Sequence, residues 1–289
     1  MDDGCLDNSG SICDEYAKED HRINVIHKKH EGVSVARQTG INAAKGKYVI
    51  HADPDDWVES DWLQKMYEKI EEEKADIVIC DFDRIYKDKI VRYIQKPTTL
   101  DNSDIIADML EGKTWGSCCN KMVKRSIFSQ YDVSFNPKMT LWEDLYVICL
   151  LVANGAKVTY LSEILYHYDS IVNNNSLVRF SSLRNIIHSK QIFIDDLSPI
   201  LSSHKYDDGW FRIKSMVKET IFLLNSSAYD IITIYSEINQ RYIKESQNYS
   251  FYSEKACVGL CLKGYPFVAH LIYNLFKHVR CIISRFLQI

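Results

Sequence analysis

The 289-residue sequence lacks several features that would each indicate a particular class of protein. It has no run of about eighteen uncharged apolar residues, so we expect no segment that spans a bilayer. Its nine cysteines include no Cys-x-x-Cys pair and show no metal-site spacing. The formal net charge is −4, so no overall positive field argues for nucleic acid as a partner. Internal repeats and low-complexity tracts are also absent from the sequence.

The rest of the composition is ordinary for a globular protein. Proline and glycine are scarce, at 5 and 11 residues, while 46% of the residues are hydrophobic and 26% are charged. The length suits one domain with a substantial appendage, or two modest domains. An odd number of cysteines and no signal peptide at the start predict reduced thiols in a cytoplasmic protein.

Helix and strand patterns alternate over the first ninety residues. The predicted strands are 22–28, 47–53 and 76–82, and the predicted helices are 9–19, 32–46 and a stretch from about Ser60. We expect Ser9 or Ser11 to cap the first helix and Gly46 to end the second. Such alternation predicts parallel pairing with right-handed crossovers in an open α/β sheet.

Later segments are mixed at first and then helical. The sequence predicts a helix at 101–112, a strand leading into a turn at 118–128, a helix at 141–154 and a strand at 156–169. From about residue 180 the pattern is helical to the end. We therefore expect an α/β domain over 1–178 and a helical C-terminal region over 179–289.

The strand at 47–53 runs into an acidic turn, "DPDD". Asp53 and Asp55 stand two residues apart, so in an extended segment their side chains point the same way and reach one ion. Carboxylate oxygens select Mg²⁺ or Mn²⁺, with phosphate oxygens completing the shell. A solvated turn is the alternative, and Asp56 with Glu59 also fits a helix N-cap.

Two further segments contain candidate catalytic or binding residues. Thr140 and Glu143 fit a capping box at the start of an apolar helix, which leaves Asp144 either as a helix-dipole carboxylate or as a general base. Gly32 precedes a helix that carries Arg37 in its early turns, which suits an anion such as a diphosphate. A solvated arginine is the alternative for Arg37.

Taken together and in order, these motifs resemble those of a bacterial family 2 glycosyltransferase with a GT-A fold. The matching stretches are "DDGCLDNSGSICDEYA", "INVIHKKHEGVSVARQTGINAAKGKYV", "HADPDDWVESDWL", "NKMVKRSIF", "LWEDLYVICLLVANGAKV" and "LYHYDSIVNNNSL". The resemblance covers roughly residues 2–177. It implies a mostly parallel, Rossmann-like sheet flanked by helices, and an inverting enzyme that moves a sugar from a nucleotide-sugar, by family habit a UDP-sugar, to an acceptor hydroxyl.

The resemblance also implies roles for individual residues that bind the donor. Asp2 and Asp3 match the acidic pair that contacts the nucleoside. Arg37 matches the arginine near the base and diphosphate, and Asp53 lies near the donor ribose or the metal.

Metal and proton-transfer roles follow from the same match. Asp55, with Asp53, would hold Mn²⁺ or Mg²⁺, and Asp144 would be the general base. His167 falls where some family members place a further metal or diphosphate contact, whereas packing between its two tyrosine neighbours is the alternative. The acceptor implied is a glycan or a lipid-linked hydroxyl in cell-surface polysaccharide synthesis.

Departures from the family pattern leave a second hypothesis open. The family begins with two apolar strands and a helix before its "DDGS" motif, whereas Met1 directly precedes Asp2. We therefore expect a sheet that lacks its first strands, in either an active enzyme or a non-catalytic truncated remnant. A Mg²⁺-dependent phosphatase is disfavoured because Trp57 stands where a threonine or valine is expected.

The last segment, 266–289, combines an apolar face with basic residues. Its apolar residues recur at three- and four-residue steps, interrupted by Lys277, Arg280 and Arg285. Such a helix either lies on an anionic membrane leaflet or packs against a core. The first alternative predicts peripheral contact with the cytoplasmic face of the membrane.

Overall fold

The computed structural model describes residues 1–171 and 183–203, together with Val268, Leu271 and Ile272. The chain divides into two compact units, Met1–Ser181 and Ser182–Ile289. The first unit combines helices with one sheet, which confirms the predicted α/β class. The assignment of separate roles to 1–178 and 179–289 stays a prediction.

Helices and strands of the first unit follow the predicted order with three additions and one missing strand. The helices are α1 (Ser9–Glu19), α2 (Val33–Ala43), α3 (Trp62–Glu72), α4 (Asn102–Glu111), α5 (Ser126–Gln130) and α6 (Glu143–Ala153). The strands are β1 (Tyr48–Ile50), β2 (Trp57–Val58), β3 (Ile77–Tyr86), β4 (Lys89–Tyr93), β5 (Lys121–Lys124) and β6 (Val158–Asp169). The short strands β2 and β4 and the short helix α5 were not predicted.

The sheet is mixed. Its order is β1-β5-β3-β6-β2, and β4 pairs with the second half of β3. Among the described pairs, β3 with β6 is parallel and the other four are antiparallel. The strands β1 and β3 run in the same direction, but β5 lies between them and is antiparallel to both. Direct parallel pairing of 47–53 with 76–82 is therefore wrong, because β5 arrives from much later in the chain.

The strand predicted at 22–28 does not form. One isolated parallel bridge joins Asp2 to His27, with the Asp2 amide donating to Ile26 over 3.0 Å and the Lys28 amide donating to Asp2 over 2.9 Å. A β-branched pattern forms a strand only where a neighbouring backbone supplies hydrogen bonds. Within the described residues, only the backbone around Asp2 does so here.

Local capping signals predicted some helix ends and missed others. Helix α1 has the predicted bounds Ser9–Glu19, but its N-cap is Asn8. Helix α4 ends at Gly112, whose φ of 74° is the left-handed conformation that glycine adopts without steric cost. Helix α2 instead ends at Ala43, with Ala44 as its C-cap, so the predicted cap at Gly46 is wrong.

Strand β3 forms the centre of the core and is buried on both faces. Val78, Cys80 and Phe82 pack in one cluster with Met66 and Ile70 of α3. Ile77 and Ile79, which alternate to the opposite face, are also buried. A strand covered on both sides reads as a continuous apolar run, as "IVICDF" does.

Helix α6 is apolar on every side. Every residue from Tyr146 to Ala153 is buried, which is typical of a helix inside a core. This burial holds the start of α6, with Glu143 and Asp144, in a fixed place.

In the second unit the structure describes the helix α7 (Leu183–Ser203), with Pro199 inside it, and three later residues. This agrees with the helical pattern predicted there. Among the described residues, no helix has the length and apolar content needed to cross a bilayer. The predicted amphipathic helix 266–289 lies outside the described residues except at Val268, Leu271 and Ile272.

Candidate active site

The acidic turn that follows β1 is fixed by one buried tyrosine. The amide of Asp56 donates to the carbonyl of Asp53 over 3.2 Å and closes the turn. Tyr166 of β6, with a relative exposure of 0%, accepts the Asp53 amide over 3.3 Å and donates its hydroxyl to Asp56. The second carboxylate oxygen of Asp56 accepts the amide of Asp169 over 2.9 Å. Asp56 therefore shapes the turn, and the N-cap of α3 is Asp61 instead.

Electrostatics around the turn disfavour unpaired negative charge. Burial raises the pKa of Asp56 to about 6, although the hydrogen bonds from Tyr166 and Asp169 oppose the shift. Burial also raises the pKa of Asp55, and the charges of Asp53 and Asp169 raise it further. A cation placed among these carboxylates would relieve that repulsion.

Two carboxylates are the most that the structure offers to an ion here. Within the described residues, no three His, Cys, Asp or Glu side chains converge on a point suited to a metal. Mg²⁺ and Mn²⁺ sites that use one or two carboxylates and complete their shell with phosphate oxygens do not need a third. A role for Asp53 and Asp55 in holding a divalent cation stays a prediction.

Arg37 of α2 joins the acidic turn to the start of α6. Its Nη2 lies 3.2 Å from Asp53 Oδ1, and its Nη1 lies 2.6 Å from Glu143 Oε1 and 4.0 Å from Asp144 Oδ2. Burial lowers the pKa of Arg37, but the charges of Asp144, Glu143 and Asp53 outweigh it and raise the pKa above its usual value. With 13% of its side chain exposed, Arg37 is not a solvated surface arginine. Its guanidinium contacts carboxylates of the chain itself, so anion binding there stays a prediction.

The start of α6 differs from the predicted capping box. Glu143 is the first residue of the helix, and the N-cap is Trp142, whose φ is 58° and whose side chain makes no capping bond. The box needs Glu143 in the third helical position, so that prediction is wrong. Burial, followed by the charge of Asp144, raises the pKa of Glu143, while Arg37 opposes the shift. Glu143 serves as the buried partner of Arg37.

Asp144 lies beside this pair and is more accessible than Glu143. Its side chain is 23% exposed, against 10% for Glu143. Its Oδ1 accepts the amide of Leu145 over 2.8 Å, which fixes the carboxylate at the first turn of α6. The geometry thus separates a buried, paired carboxylate from a neighbour that solvent reaches.

The predicted nucleoside contacts Asp2 and Asp3 take part in local structure. Asp2 Oδ2 lies 2.8 Å from His27 Nδ1, and Oδ1 accepts the amide of Cys5 over 3.0 Å. These bonds, led by the one with His27, lower the pKa of Asp2 to about 2. Asp3 accepts the amide of Gly32 over 2.8 Å, directly before α2. Asp3 thus fixes the start of the helix that carries Arg37, and the donor roles of both residues stay predictions.

His167 contacts Glu59 and Trp57 rather than the carboxylates of the acidic turn. Its Nε2 is 2.9 Å from Glu59 Oε1, and its ring stacks on Trp57 at 5.3 Å. The pairing of β2 with β6 places Trp57 opposite His167 and so accounts for this stack. The neighbouring β6 residue Tyr166 is the one that bonds to the acidic turn. A metal contact for His167 stays a prediction.

A cavity of about 520 Å³ lies between α2 and β1. Its lining is mixed, with Arg37 and Asp53 as charged groups, Tyr48 and His51 as polar ones, and apolar side chains such as Val33 and Ile41. Burial, and then the charge of Arg37, lower the pKa of His51 to about 4, so its ring is neutral at pH 7. Its size lies within the range of small-molecule sites.

Several site residues were not predicted from the sequence. Tyr166, Asp169 and Cys119 all contact the acidic turn, and Cys119 donates its thiol to Asp53 Oδ2 over 3.2 Å. Tyr166 and Asp169 both lie in the quoted motif "LYHYD", but Asp169 contacts the turn through its backbone amide, which no side-chain pattern predicts. No local signal marks Cys119, because its partner lies 66 residues away.

Comparison with known proteins supports the family that the sequence resembles. The sequence model of glycosyl transferase family 2 matches residues 1–132. The putative glycosyltransferase EpsH of Bacillus subtilis is 29% identical over 75% of this chain and 66% of its own length. Glycosyltransferase GlyA of Streptococcus pneumoniae is 32% identical over 58% of this chain and 25% of its own length. The comparisons thus support a family 2 glycosyltransferase.

Solved structures agree with this family assignment at the level of the fold. TarS of S. aureus, residues 1–349 in complex with UDP-GlcNAc, matches with a TM-score of 0.58 and 15% identity. The match covers 96% of this chain and 81% of that one. The GT-A fold predicted from the resemblance is thereby confirmed. The chain spans just under two thirds of the length of EpsH and a quarter of that of GlyA.

Proposed function

We propose that this family 2 chain transfers a sugar, with inversion at the anomeric carbon, from a nucleotide-sugar to an acceptor hydroxyl. The observation that carries the proposal is the convergence on Arg37 of Asp53 from the acidic turn and of Glu143 and Asp144 from α6. These groups come from segments about a hundred residues apart, Arg37 and Glu143 being separated by 106 positions. Their assembly beside a cavity supports a reaction centre rather than a solvated turn.

Asp55 and Asp53 would hold Mn²⁺ or Mg²⁺ in this site. The ion would neutralise the negative charge of the departing diphosphate. Support comes from the raised pKa of Asp55, which burial and then the neighbouring carboxylates cause, and which a bound cation would reverse. A contact of His167 with the same ion is part of the proposal and would require its bond with Glu59 to open.

Asp144 is proposed as the general base. It would take the proton from the acceptor hydroxyl as that oxygen attacks the sugar carbon opposite the leaving group. The hydrogen bond from the Leu145 amide holds one carboxylate oxygen, and Oδ2 faces Arg37 at 4.0 Å. Glu143 is too well buried, and too closely paired with Arg37 at 2.6 Å, for the same task.

A UDP-sugar is the proposed donor. TarS, which shares the fold, was solved in complex with UDP-GlcNAc, and this supports the choice of donor class. Asp2, Asp3, Arg37 and Asp53 are the proposed contacts for its nucleoside and diphosphate. The bonds of Asp2 to the Cys5 amide, of Asp3 to the Gly32 amide and of Arg37 to Asp53 would orient these side chains before the donor binds.

The proposed acceptor is a hydroxyl of a glycan or of a lipid-linked glycan in cell-surface polysaccharide synthesis. Peripheral contact of 266–289 with the cytoplasmic membrane face belongs to the same proposal, since lipid-linked acceptors lie there. Pelleting of the full-length protein with anionic liposomes at low salt would support the contact. A helix that only packs would leave the protein in the supernatant.

The function is tested with paired carboxylate variants of the full chain. Nucleotide-sugars are screened for Mn²⁺-dependent transfer and hydrolysis, and donor binding is measured by calorimetry. Asp55→Ala should lose donor binding, whereas Asp144→Asn should keep it and lose transfer by about 10²–10⁴-fold. Asp61→Asn, an exposed carboxylate paired with Lys65, serves as the control and should behave as wild type.

Two results would contradict the proposal. Normal transfer by Asp144→Asn would remove the base assignment while leaving the enzyme class intact. A folded wild-type protein that takes up neither Mn²⁺ nor any nucleotide-sugar would instead support the alternative of a non-catalytic remnant.

A further inference from the structure

A fully buried lysine lies next to the site and has no part in the proposed chemistry. Lys121 in β5 has a relative exposure of 0%. Its Nζ donates to the carbonyl of Trp115 over 2.5 Å, to that of Ser117 over 2.8 Å and to Asn120 Oδ1 over 2.9 Å. Buried lysines are rare unless paired, and here the partners are neutral oxygens rather than a carboxylate.

All three acceptors belong to one short stretch, residues 115–120, which we call the clamp segment. An ammonium has three donors, and each of the three meets one acceptor of the clamp segment. Asn120 also ties the end of the segment to β3, since its Nδ2 donates to the carbonyl of Cys80 over 2.8 Å. The segment has no regular helix or strand before Lys121, so these bonds determine its shape.

One side of the clamp segment contacts the acidic turn. The thiol of Cys119 donates to Asp53 Oδ2 over 3.2 Å. The other side contacts the start of α6, where Cys118 Sγ lies 4.0 Å from the carbonyl of Asp144. Gly116 lies very close to Leu145, the residue after Asp144. A Cβ added at Gly116 would lie 2.3 Å from Leu145 Cδ1. The segment is thus a spacer between the donor carboxylate and the base.

We propose that Lys121 is a positioning residue, which sets the separation of Asp53 and Asp144 by holding the clamp segment between them. This rests on the proposed function, because it assigns those two carboxylates to donor and acceptor. Lys121 itself contacts neither carboxylate in any bond that the structure describes. Misplacement of reacting groups by about 1 Å, even from a distant change, costs roughly 10²-fold in rate.

The first test replaces the ammonium while keeping the length of the side chain. In Lys121→Met the three acceptors lose their donors, so the clamp segment should loosen. We expect kcat for transfer to fall by about 10²-fold, with the donor KM changed by less than about threefold. Lys121→Arg should restore only part of kcat, because a planar guanidinium does not reproduce three tetrahedral donors.

A second measurement follows the segment without using activity. Cys118 and Cys119 are buried in the wild type, as are Cys80 in β3 and Cys149 in α6. Labelling with a maleimide, read by peptide mass spectrometry, should reach Cys118 and Cys119 in Lys121→Met while Cys80 and Cys149 stay protected. Labelling of all four would report global unfolding instead.

Two further variants make the test robust. Lys124→Met removes a half-exposed lysine of the same strand, whose partner is Asp76, and should change neither labelling nor kcat. Gly116→Ala disturbs the clamp segment from its other side and should reproduce the loss of kcat. It keeps the proposal testable if Lys121→Met does not fold.

The outcomes separate this inference from the proposed function. Folded Lys121→Met and Gly116→Ala variants with wild-type kcat would overturn the positioning role, even if labelling increased. Absence of transfer in every variant, wild type included, would contradict the proposed function. In that event, protection of Cys118 and Cys119 from labelling in Lys121→Met would still overturn the positioning role of Lys121.

Discussion

The guanidinium of Arg37 donates to the carboxylate of Glu143 over 2.6 Å, and the two residues stand 106 positions apart in the chain. Their side chains are 13% and 10% exposed. Arg37 also reaches Asp53 at 3.2 Å, so two ion pairs of one guanidinium join α2, the acidic turn and α6. These pairs hold the proposed donor and base segments together before any ligand binds.

Removal of Arg37 should destabilise the fold strongly. Arg37→Met leaves Glu143 buried without its cation, so we expect the free energy of unfolding in urea to fall by about 3–5 kcal/mol. Arg22→Met is the control, since Arg22 is 81% exposed, and its effect should stay within about 0.5 kcal/mol. The double variant Arg37→Met with Glu143→Gln should recover part of the loss. Equal unfolding of Arg37→Met and Arg22→Met would contradict a structural ion pair.

Tyr166→Phe should weaken both stability and metal binding. The variant keeps the ring and removes the hydroxyl that donates to Asp56, at a cost of about 1.5–3 kcal/mol. Tyr160→Phe is the matched control, because Tyr160 donates to Asp81 over 2.9 Å away from the acidic turn. Both variants should lose thermal stability, but only Tyr166→Phe should weaken Mn²⁺ binding in calorimetry. Equal Mn²⁺ affinity in the two variants would show that the turn keeps its shape without Tyr166.

The bridge from His27 to two carboxylates should depend on pH. Hydrogen bonds with Asp2 and then Asp14 raise the pKa of His27 above its ordinary value of 6.5. A base with a raised folded-state pKa stabilises the fold fully below 6.5 and loses that contribution as pH rises through the folded value. An NMR titration of the His27 ring should show the raised pKa, and Asp14→Asn should lower it. Glu15→Gln, which like Asp14 lies in α1, is the control. An unchanged titration of His27 in Asp14→Asn would exclude the bridge.

Two glycine substitutions should have opposite effects on stability. Gly112→Ala places a Cβ at a φ of 74°, at a cost of about 1–2 kcal/mol. Gly40→Ala lies inside α2, where the new Cβ would meet Met1 Cγ at an ordinary 3.6 Å, and should stabilise the helix by about 0.5–1 kcal/mol. Thermal unfolding measures both. A loss of stability at Gly40→Ala would indicate that the contact near Met1 leaves no room for a methyl group.

Elements with strong local signals were predictable from the sequence alone. Helices α1 and α4 were located within a residue or two, because apolar spacing and caps act between neighbours in the chain. The burial of β3 was visible in its continuous apolar run. The acidic turn was equally visible, since a strand followed by crowded carboxylates needs no distant information.

Elements that need a distant partner were not predictable in the same way. The apolar pattern at 22–28 did not become a strand, because a strand depends on a neighbouring backbone. Insertion of β5 between β1 and β3 likewise left no trace in the local pattern of either strand.

The sequence by itself determined which chemical groups are present and where the chain turns: carboxylates after a strand and at a helix start, and an arginine early in α2. Only the tertiary structure decided how these groups are paired. Glu143 pairs with Arg37 instead of closing the predicted capping box, and Asp56 accepts a hydrogen bond from Tyr166. Lys121 is buried beneath the clamp segment. Each pairing offsets the cost of burying polar atoms, and that cost exists only once the core has closed around them.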